Sequence, residues 1–289
     1  MPFNHLLLAL AVVAVWGSNF VVIKWGLAEL PPFTLALLRF AASALPWVLL
    51  IKRPATPLWR LAAFGVLLGC GQFGLLFLAM KGSISPGLAS LVVQSQVFIT
   101  VGVAAWLHQE KVRPGQWLAA LLVLAGMGWI GWQGYQHGGD ATVRGVLTVL
   151  GAATCWAGAN LVARGAGRVD ALAFMVWSSL FAVPPLIVLA CWIDGPQLVA
   201  ASITHASLGA WAVVAWQALG NTLFGYGVWN WLLARHPASV VAPSALLVPV
   251  FGFTSSALIL GEALPVWKLG AAALVMAGMG LNLWVARRA

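Results

Sequence analysis

The chain has 289 residues, of which 62% are hydrophobic and only 7% are charged, and its formal net charge is +9. Soluble domains carry about 25% charged residues, so this chain has too little polar surface to face water and must be solvated mostly by lipid. The basic residues interrupt apolar runs instead of clustering on a soluble face, which excludes a nucleic-acid-binding footprint. Cys70, Cys155 and Cys191 each lie in an apolar run, so we expect neither disulfides nor paired metal ligands from them.

Apolar stretches of about 20 residues fit a bilayer core about 30 Å thick. The chain contains ten of them, joined by short linkers, and no residues remain for a soluble domain. In chain order they are 5–27, 31–51, 58–80, 85–107, 114–133, 144–163, 171–192, 207–233, 238–260 and 265–285. The sequence therefore predicts an all-α polytopic membrane protein with ten transmembrane helices.

The distribution of lysine and arginine predicts the orientation, because these residues are more frequent in cytoplasmic loops. Ten of the 15 fall on the side that carries both termini, four fall on the other side, and Arg39 lies within the second span. We therefore expect both termini to be cytoplasmic.

The chain also repeats itself at a distance of 152 residues, a shift that aligns Ala125–Gly128 with Ala277–Gly280. The same shift aligns Glu110 with Glu262. Each half contains five spans, and because five is odd, the second half must enter the membrane from the opposite side. Two inverted repeats with a binding site at the membrane midplane are a transporter architecture. The predicted repeats are residues 1–137 and 138–289.

Polar side chains within lipid-buried spans cost free energy, so each needs a partner or a function. Trp16 and Asn19 share one helical face of the first span, and Trp156 and Asn160 share a narrower face of the sixth. The two asparagines could bind the amino or carboxyl group of a substrate. Alternatively, they could form interhelical hydrogen bonds that hold the two repeats together.

Arg39 lies about eight residues inside the second span, roughly 12 Å deep at about 1.5 Å per residue. A buried guanidinium requires acceptors, and all six acidic residues fall in or near loops. Arg39 is therefore either a structural anchor or a receptor for a substrate carboxylate.

Gln72 follows Gly65 and Gly69 on one helical face, where small residues admit close approach. Gln94 and Gln96 are two residues apart and point about 200° around the helix from each other. We therefore expect only one of them, Gln94, to face a cavity.

Tyr226, Trp229 and Asn230 form an aromatic and polar face of the eighth span, suited either to a substrate or to helix packing. Pro243 and Pro249 interrupt the hydrogen-bond ladder of the ninth span. They could act as gating hinges or produce a static bend.

Four segments along the chain carry a family resemblance: Val15–Lys24, Pro31–Pro32 followed by Leu38–Phe40, Gly87–Val92, and Ala242–Val250 followed by Glu262. They resemble EamA-type exporters of the drug/metabolite transporter superfamily, and the likeness extends over nearly the whole chain. The resemblance implies a bacterial inner-membrane protein whose cavity is lined by spans one, three, four, six, eight and nine. It also implies export of amino acids or derivatives, such as cysteine and O-acetylserine, by alternating access. Another cargo (a nucleoside, a sugar or a different amino acid) or a lipid flippase remains open.

No Asp, Glu or His lies centrally in any predicted span, which argues against a proton-coupled exporter of cationic drugs. The nearest titratable residues, His108, Glu110 and Glu262, are expected at hydrated mouths, so we expect transport that depends weakly on the proton gradient. No Walker loop, HExxH or GxSxG motif is present, so the sequence predicts no enzyme, no cofactor and no metal. The expected partners are a small-molecule substrate and the lipid bilayer, without nucleic acid or an obligate protein partner.

Overall fold

The structure is a computed structural model that describes residues 1–108, 113–137, 139–167, 169–236 and 238–287. These residues are helical apart from short connections and one isolated bridge between Ile84 and Ala141. The helices are α1 (Phe3–Glu29), α2 (Pro32–Ala44), α3 (Leu58–Met80), α4 (86–108), α5 (Pro114–His137), α6 (Val143–Gly165), α7 (Ala171–Asp194), α8 (Pro196–Thr204), α9 (208–235), α10 (238–260) and α11 (Val266–Arg287). The all-α prediction is confirmed for this part of the chain.

Eight helices of the described chain contain a stretch long and apolar enough to cross a membrane: α1, α3, α4, α5, α6, α7, α10 and α11. α8 and most of α9 pass the same test together, but they are bent by 100° at the break between them. α2 is apolar but has only 13 residues. Helix length and composition therefore give eight spans, or nine with the bent pair, where the sequence predicts ten.

The predicted span 31–51 begins with the shorter helix α2, because Pro46 interrupts the hydrogen-bond ladder. Proline has no N–H to donate to the carbonyl four residues earlier, which here belongs to Ala42. The indole N–H of Trp47 replaces the missing backbone N–H, since Nε1 donates to the Ala42 oxygen at 3.2 Å. The chain then continues through turns over 45–50 towards the start of α3.

The connection between the seventh and eighth predicted spans contains α8, a helix that the sequence analysis did not predict. Gly195 follows α7 with φ of 90°, a left-handed conformation that glycine adopts without steric cost. Pro196 then occupies the first helical position, where its missing N–H costs nothing. The two residues together end α7 and redirect the chain across the end of the bundle.

α5 and α11 pack closely through small residues. A Cβ at Gly126 would lie 3.0 Å from the carbonyl oxygen of Ala271, and a Cβ at Gly278 would lie 2.6 Å from that of Ala119. Small residues at such positions let two helix backbones approach each other in a membrane. The shift of 152 residues relates Gly126 to Gly278 and Ala119 to Ala271. The two contacts between the halves are therefore equivalent by the internal repeat.

The two halves also share irregular helical segments. α3 and α9 each contain a π-helical segment, at Leu67–Gly74 and Trp216–Phe224. α4 and α10 each contain a 3-10 segment, at Val93–Ser95 and Ala242–Leu246. Such departures from α-helix inside a long helix change which side chains face the neighbouring helices.

An ionic cluster lies on the far side, which we define as the side of the bundle opposite the two chain termini. Lys268 is fully buried, and its Nζ lies 2.7 Å from Asp140 Oδ2 and 2.8 Å from Glu262 Oε1. Glu262 also accepts from Ser85 Oγ at 2.5 Å and from the Gly87 N–H at 3.2 Å. The expectation of a hydrated Glu262 is therefore wrong: its side chain is 6% exposed, because α4, α10 and α11 meet around it.

Two further carboxylates join helix ends on the far side. Asp194 Oδ2 accepts from the N–H and the hydroxyl of Thr34 at 2.8 and 2.9 Å, which ties the end of α7 to the start of α2. Glu29 accepts from the N–H and the hydroxyl of Ser207 at 3.0 and 2.7 Å, which ties α1 to α9. Each contact links one half of the chain to the other.

Candidate functional site

A cavity of ≈ 560 Å³ lies at the centre of the bundle between the two halves. It is lined by α1, α3, α4, α6, α9 and α10, as the resemblance implies, and in addition by α7 and α11. Its wall includes Ala163, Ala171 and Leu283, which lie near those ends of α6, α7 and α11 that face the side of the termini. The cavity thus extends from the middle of the bundle towards the termini, away from the ionic cluster on the far side.

Eight of the ten predicted binding residues line this cavity: Trp16, Asn19, Gln72, Gln94, Trp156, Asn160, Tyr226 and Trp229. Arg39 is fully buried behind the wall and is not among the lining residues. The side chain of Asn230 lies outside the described residues, as does Glu110. Neither proline is among the described lining residues: Pro243 lies in the 3-10 segment of α10, and Pro249 is buried in the turn that follows.

Gln94 and Gln96 both line the cavity, so the expectation that only Gln94 would do so is wrong. The reason is the 3-10 segment Val93–Ser95, which turns by about 120° per residue and brings positions two apart closer in direction than an α-helix does. Gln96 Oε1 accepts from Asn160 Nδ2 at 2.8 Å. This hydrogen bond joins α4 to α6 and therefore joins the two halves.

An aromatic group forms one wall of the cavity. The ring centroid of Trp16 lies 5.4 Å from that of Tyr226 and 5.2 Å from that of Trp229. Trp16 Nε1 donates to the backbone oxygen of Asn221 at 3.2 Å, which fixes the indole against α9. The absence of a side chain at Gly225 leaves room for that indole. These aromatic side chains therefore face the cavity and not a lipid interface.

Arg39 is held by neutral side chains of α9 and by two aromatic rings, of which that of Phe40 has its centroid 5.5 Å from the guanidinium carbon. Nη1 donates to Gln217 Oε1 at 2.5 Å, and Nη2 lies 3.4 Å from Thr222 Oγ1. The amide orientation of Asn221 that satisfies its neighbours directs Oδ1 at the guanidinium, 3.2 Å from Nη1 and 2.7 Å from Nη2. The guanidinium carbon lies 3.6 Å from the ring centroid of Phe73, a cation–π contact. Arg39 thus anchors α2 to α9 and α3.

Gln217 extends this cluster to α1. Its Nε2 donates to Asn19 Oδ1 at 2.8 Å, and Asn19 Nδ2 lies 3.4 Å from Gln217 Oε1. Asn19 and Asn221 both line the cavity, whereas Gln217 is fully buried. Of the two roles open for Asn19, the structure shows the interhelical hydrogen bond directly and places the same residue at the cavity wall.

Several polar residues of this site were not predicted from the sequence: Gln96, which was expected to point away from the cavity, and Gln217, Asn221, Thr222 and Asn282. Gln217, Asn221 and Thr222 all lie within the predicted span 207–233. The free-energy cost that singled out Asn19 applies equally to them, so that criterion, applied along the whole span, identifies them as well.

No group of three or more His, Cys, Asp or Glu side chains in the described residues could hold a metal ion.

The model of the EamA-like transporter family matches the chain twice, over residues 4–132 and 143–284. The chain belongs to the EamA-like transporter family. The resemblance carried by the sequence motifs is therefore confirmed, and the EamA-like chain is a multi-pass membrane transporter.

Two relatives are similar over almost their whole length. A protein of Salmonella typhimurium named "Probable amino-acid metabolite efflux pump" is 36% identical over 281 residues, covering 96% of this chain and 94% of the relative. A protein of Escherichia coli with the same name is 34% identical over 281 residues, which again cover 96% of this chain and 94% of the relative. A solved structure, named only "Crystal structure of protein", superposes with a TM-score of 0.65 at 20% identity, covering 100% of this chain and 99% of the other. At that identity the structural likeness shows the fold alone.

Proposed function

We propose that this protein exports amino acids or their derivatives, with cysteine and O-acetylserine as first candidates, across a bacterial inner membrane by alternating access. The observation that carries the proposal is the central cavity, with its aromatic wall and amide side chains, which reaches towards one side of the bundle. The names of the two relatives that are 36% and 34% identical support the cargo class.

We propose ten spans in two inverted repeats, residues 1–137 and 138–289. The two spans that helix length alone does not give are α2 with its turns, and α9. Three observations support the arrangement: the paired π and 3-10 segments, the equivalent glycine contacts between α5 and α11, and the double match of the family model.

We propose that both termini are cytoplasmic, which places the cavity towards the cytoplasm and the ionic cluster at the periplasmic side. In this state cargo would enter from the cytoplasm, and the far-side contacts must break to release it. Pro243 and Pro249 in α10 are the proposed hinge positions, since each removes a backbone hydrogen bond.

The proposed cargo contacts are of two kinds. Aromatic faces pack against the apolar part of a small metabolite, and amide groups bind its polar ends. The residues proposed for these contacts are Trp16, Trp156, Tyr226, Trp229, Asn19, Gln72, Gln94, Asn160 and Asn230.

The test is efflux from proteoliposomes that contain the full chain and are loaded with labelled L-cysteine, O-acetyl-L-serine, uridine or glucose. We expect faster efflux of at least one of the two amino-acid compounds than from protein-free liposomes. Efflux of uridine or glucose without either amino-acid compound would overturn the proposed cargo.

The same liposomes test coupling when a pH gradient is imposed at a clamped membrane potential. We expect the pH gradient to change the efflux rate weakly, because no Asp, Glu or His is among the described residues that line the cavity. Accumulation of cargo against its own gradient, driven by protons alone, would contradict this expectation.

A further inference from the structure

Arg39 carries a positive charge that no described carboxylate neutralises. Five of the six acidic residues are described, and four of them, Glu29, Asp140, Asp194 and Glu262, are engaged on the far side. The fifth, Asp170, caps the start of α7, where Oδ1 accepts from the Ala173 N–H at 2.7 Å. The guanidinium is therefore balanced only by neutral groups within the described part of the chain.

Those neutral groups are amides, and an amide that accepts from a cation through its oxygen turns its N–H groups away from that cation. Asn221 directs Oδ1 at Arg39, so its Nδ2 faces away from the guanidinium. Gln217 directs Oε1 at Arg39 and donates through Nε2 to Asn19 Oδ1. The Asn19 oxygen is thus occupied, and one of the two N–H groups on Asn19 Nδ2 faces Gln217 Oε1 at 3.4 Å. The other N–H group is not used by Gln217.

Asn19 and Asn221 are the two members of this cluster that line the cavity, while Arg39 and Gln217 are fully buried. A cation behind the wall therefore orients two amides so that their donors remain for the cavity. Donors polarised by a nearby positive charge bind a carboxylate more strongly than isolated amides do.

A second polar feature of the same cavity consists of hydrogen-bond acceptors instead of donors. Gln72 is 3% exposed and lines the cavity, and its Oε1 has no hydrogen-bond partner among the described residues. Oδ1 of Asn282, which also lines the cavity, likewise has no partner among the described residues. Buried acceptors without partners are costly and are therefore rare unless a ligand or water supplies the donor. An ammonium group has three donors to offer.

We propose that Arg39 is a positioning residue that makes Asn19 and Asn221 donors for the carboxylate of the cargo, while Gln72 accepts from its ammonium group. This inference rests on the proposed function in that the cargo occupies this cavity. It specifies the cargo class as one with a free carboxylate, and it explains how a buried charge selects cargo that it does not touch.

The test compares matched ligands that differ only at the carboxylate: L-cysteine with L-cysteinamide, and propionate with propionamide. Dissociation constants are measured by calorimetry on the full chain in nanodiscs. The wild-type protein should bind the carboxylate of each pair about tenfold or more tightly than the carboxamide, as a charge-assisted hydrogen bond predicts.

The decisive variant is Asn221→Asp, which keeps the shape and the acceptor towards Arg39 but removes the donor towards the cavity. Because the new carboxylate pairs with a buried guanidinium, we expect the variant to fold. Its ratio of carboxamide to carboxylate dissociation constants should fall to about one or below. The matched control is Ser43→Ala, which removes a buried hydrogen bond to the Arg39 carbonyl at 2.9 Å without contacting the guanidinium. That control should keep the wild-type ratio.

A wild-type protein without preference for carboxylates, or an Asn221→Asp variant that keeps the wild-type ratio, would overturn the inference even if cysteine is exported. Conversely, preference for propionate over propionamide, together with no efflux of either amino-acid compound, would overturn the proposed cargo and leave the carboxylate site standing. Absence of binding by both carboxylates would overturn the inference as well.

Discussion

At the scale of single residues, Arg39 shows how a membrane protein holds a buried charge with no carboxylate partner in the described part of the chain. Its acceptors are amide and hydroxyl oxygens of α9, and Phe73 covers its face at 3.6 Å. Hydrogen bonds to a charged group contribute about 1.5–3 kcal/mol each, and several together can offset the cost of burial. The same contacts tie α2 to α9, and therefore one half of the chain to the other.

We expect Arg39→Met to lower both the unfolding temperature and the efflux rate. The substitution leaves the Asn221 oxygen buried and unpaired, and it leaves the Gln217 oxygen with only the 3.4 Å contact from Asn19 Nδ2. A buried acceptor without a partner costs about 1–3 kcal/mol. Arg39→Lys should be intermediate, because lysine keeps the charge but lacks the planar fork that reaches two amides. The measurements are thermal unfolding in detergent and efflux per inserted protein, with Ser43→Ala as control. Normal efflux by an inserted Arg39→Met variant would show that Arg39 is neither a required anchor nor a required positioning residue.

We expect acidification to loosen the contact between the ends of α1 and α9 on the side of the termini. His236 Nε2 lies 2.7 Å from His5 Nδ1. Burial lowers the pKa of His236, and the positive charges of His5, the N-terminus and Arg235 lower it further. A lowered pKa means that the contact is fully stable above about 6.5, the ordinary histidine value, and weakens as the pH falls through it.

The measurement is the hydrogen-exchange protection of residues 3–8 at pH 7.5 and pH 5. His236→Gln should abolish the difference, and His205→Gln, on the far side, should leave it in place. Equal protection of the wild-type protein at both pH values would show that this histidine pair does not stabilise the contact.

The buried position of Arg39 and most of the polar cavity residues could be predicted from the sequence, because both follow from the free-energy cost of polar groups in lipid. It could not name Gln217 and Asn221 as partners of Arg39, which lie 178 or more positions away along the chain. Such pairings depend on how helices rotate and pack against each other, which a helical wheel does not give. The burial of Glu262 depends in the same way on Lys268 and Ser85 from other segments.

At the scale of helices, close approach and local irregularity determine the packing. The motif Ala125–Gly128 and its repeat Ala277–Gly280 were visible in the sequence, and they lie in the close contact between α5 and α11. The π segments of α3 and α9 and the 3-10 segment of α4 were not predicted. Such segments have no strong local pattern, since they arise where packing between helices overrides the α-helical ladder.

We expect Gly278→Ala to destabilise the protein by roughly 1–3 kcal/mol, the usual range for overpacking. The new methyl group would lie 2.6 Å from the Ala119 carbonyl oxygen and 2.7 Å from Val123 Cγ2. Gly280→Ala is the matched control, because a Cβ there has no neighbour within 4 Å. The measurement is the unfolding temperature of each variant in detergent. Equal stability of the two variants would mean that α5 and α11 are not closely packed.

At the scale of the whole molecule, the cavity and the ionic cluster lie towards opposite sides of the bundle. The contacts on the far side join helices of both halves through Glu262, Asp194 and Glu29. An exporter that alternates between two open states must break such contacts when it opens to the far side. Under the proposed orientation and function, the structure has the features of the state in which cargo would be loaded.

We expect Lys268→Gln to favour opening to the far side, because it leaves Asp140 and Glu262 without the cation between them. The population of that state rises about tenfold for each 1.4 kcal/mol of closure free energy that is lost. The measurement is labelling of Ala245→Cys by an impermeant reagent from the far side, after replacement of the three native cysteines. Lys81→Gln is the control, since Lys81 lies on the same side and donates to the Leu27 carbonyl. Unchanged labelling in Lys268→Gln would show that the cluster does not hold the far side closed.

The central claim, a cytoplasm-facing cavity that carries amino-acid cargo, is tested most directly by protection of Ala163→Cys in the same cysteine-free background. Ala163 lines the cavity near the end of α6. An impermeant maleimide should label this position in inside-out vesicles and not in right-side-out vesicles, and O-acetyl-L-serine should slow the labelling. Labelling from the periplasmic side alone, or labelling at the same rate with and without O-acetyl-L-serine, would contradict the claim.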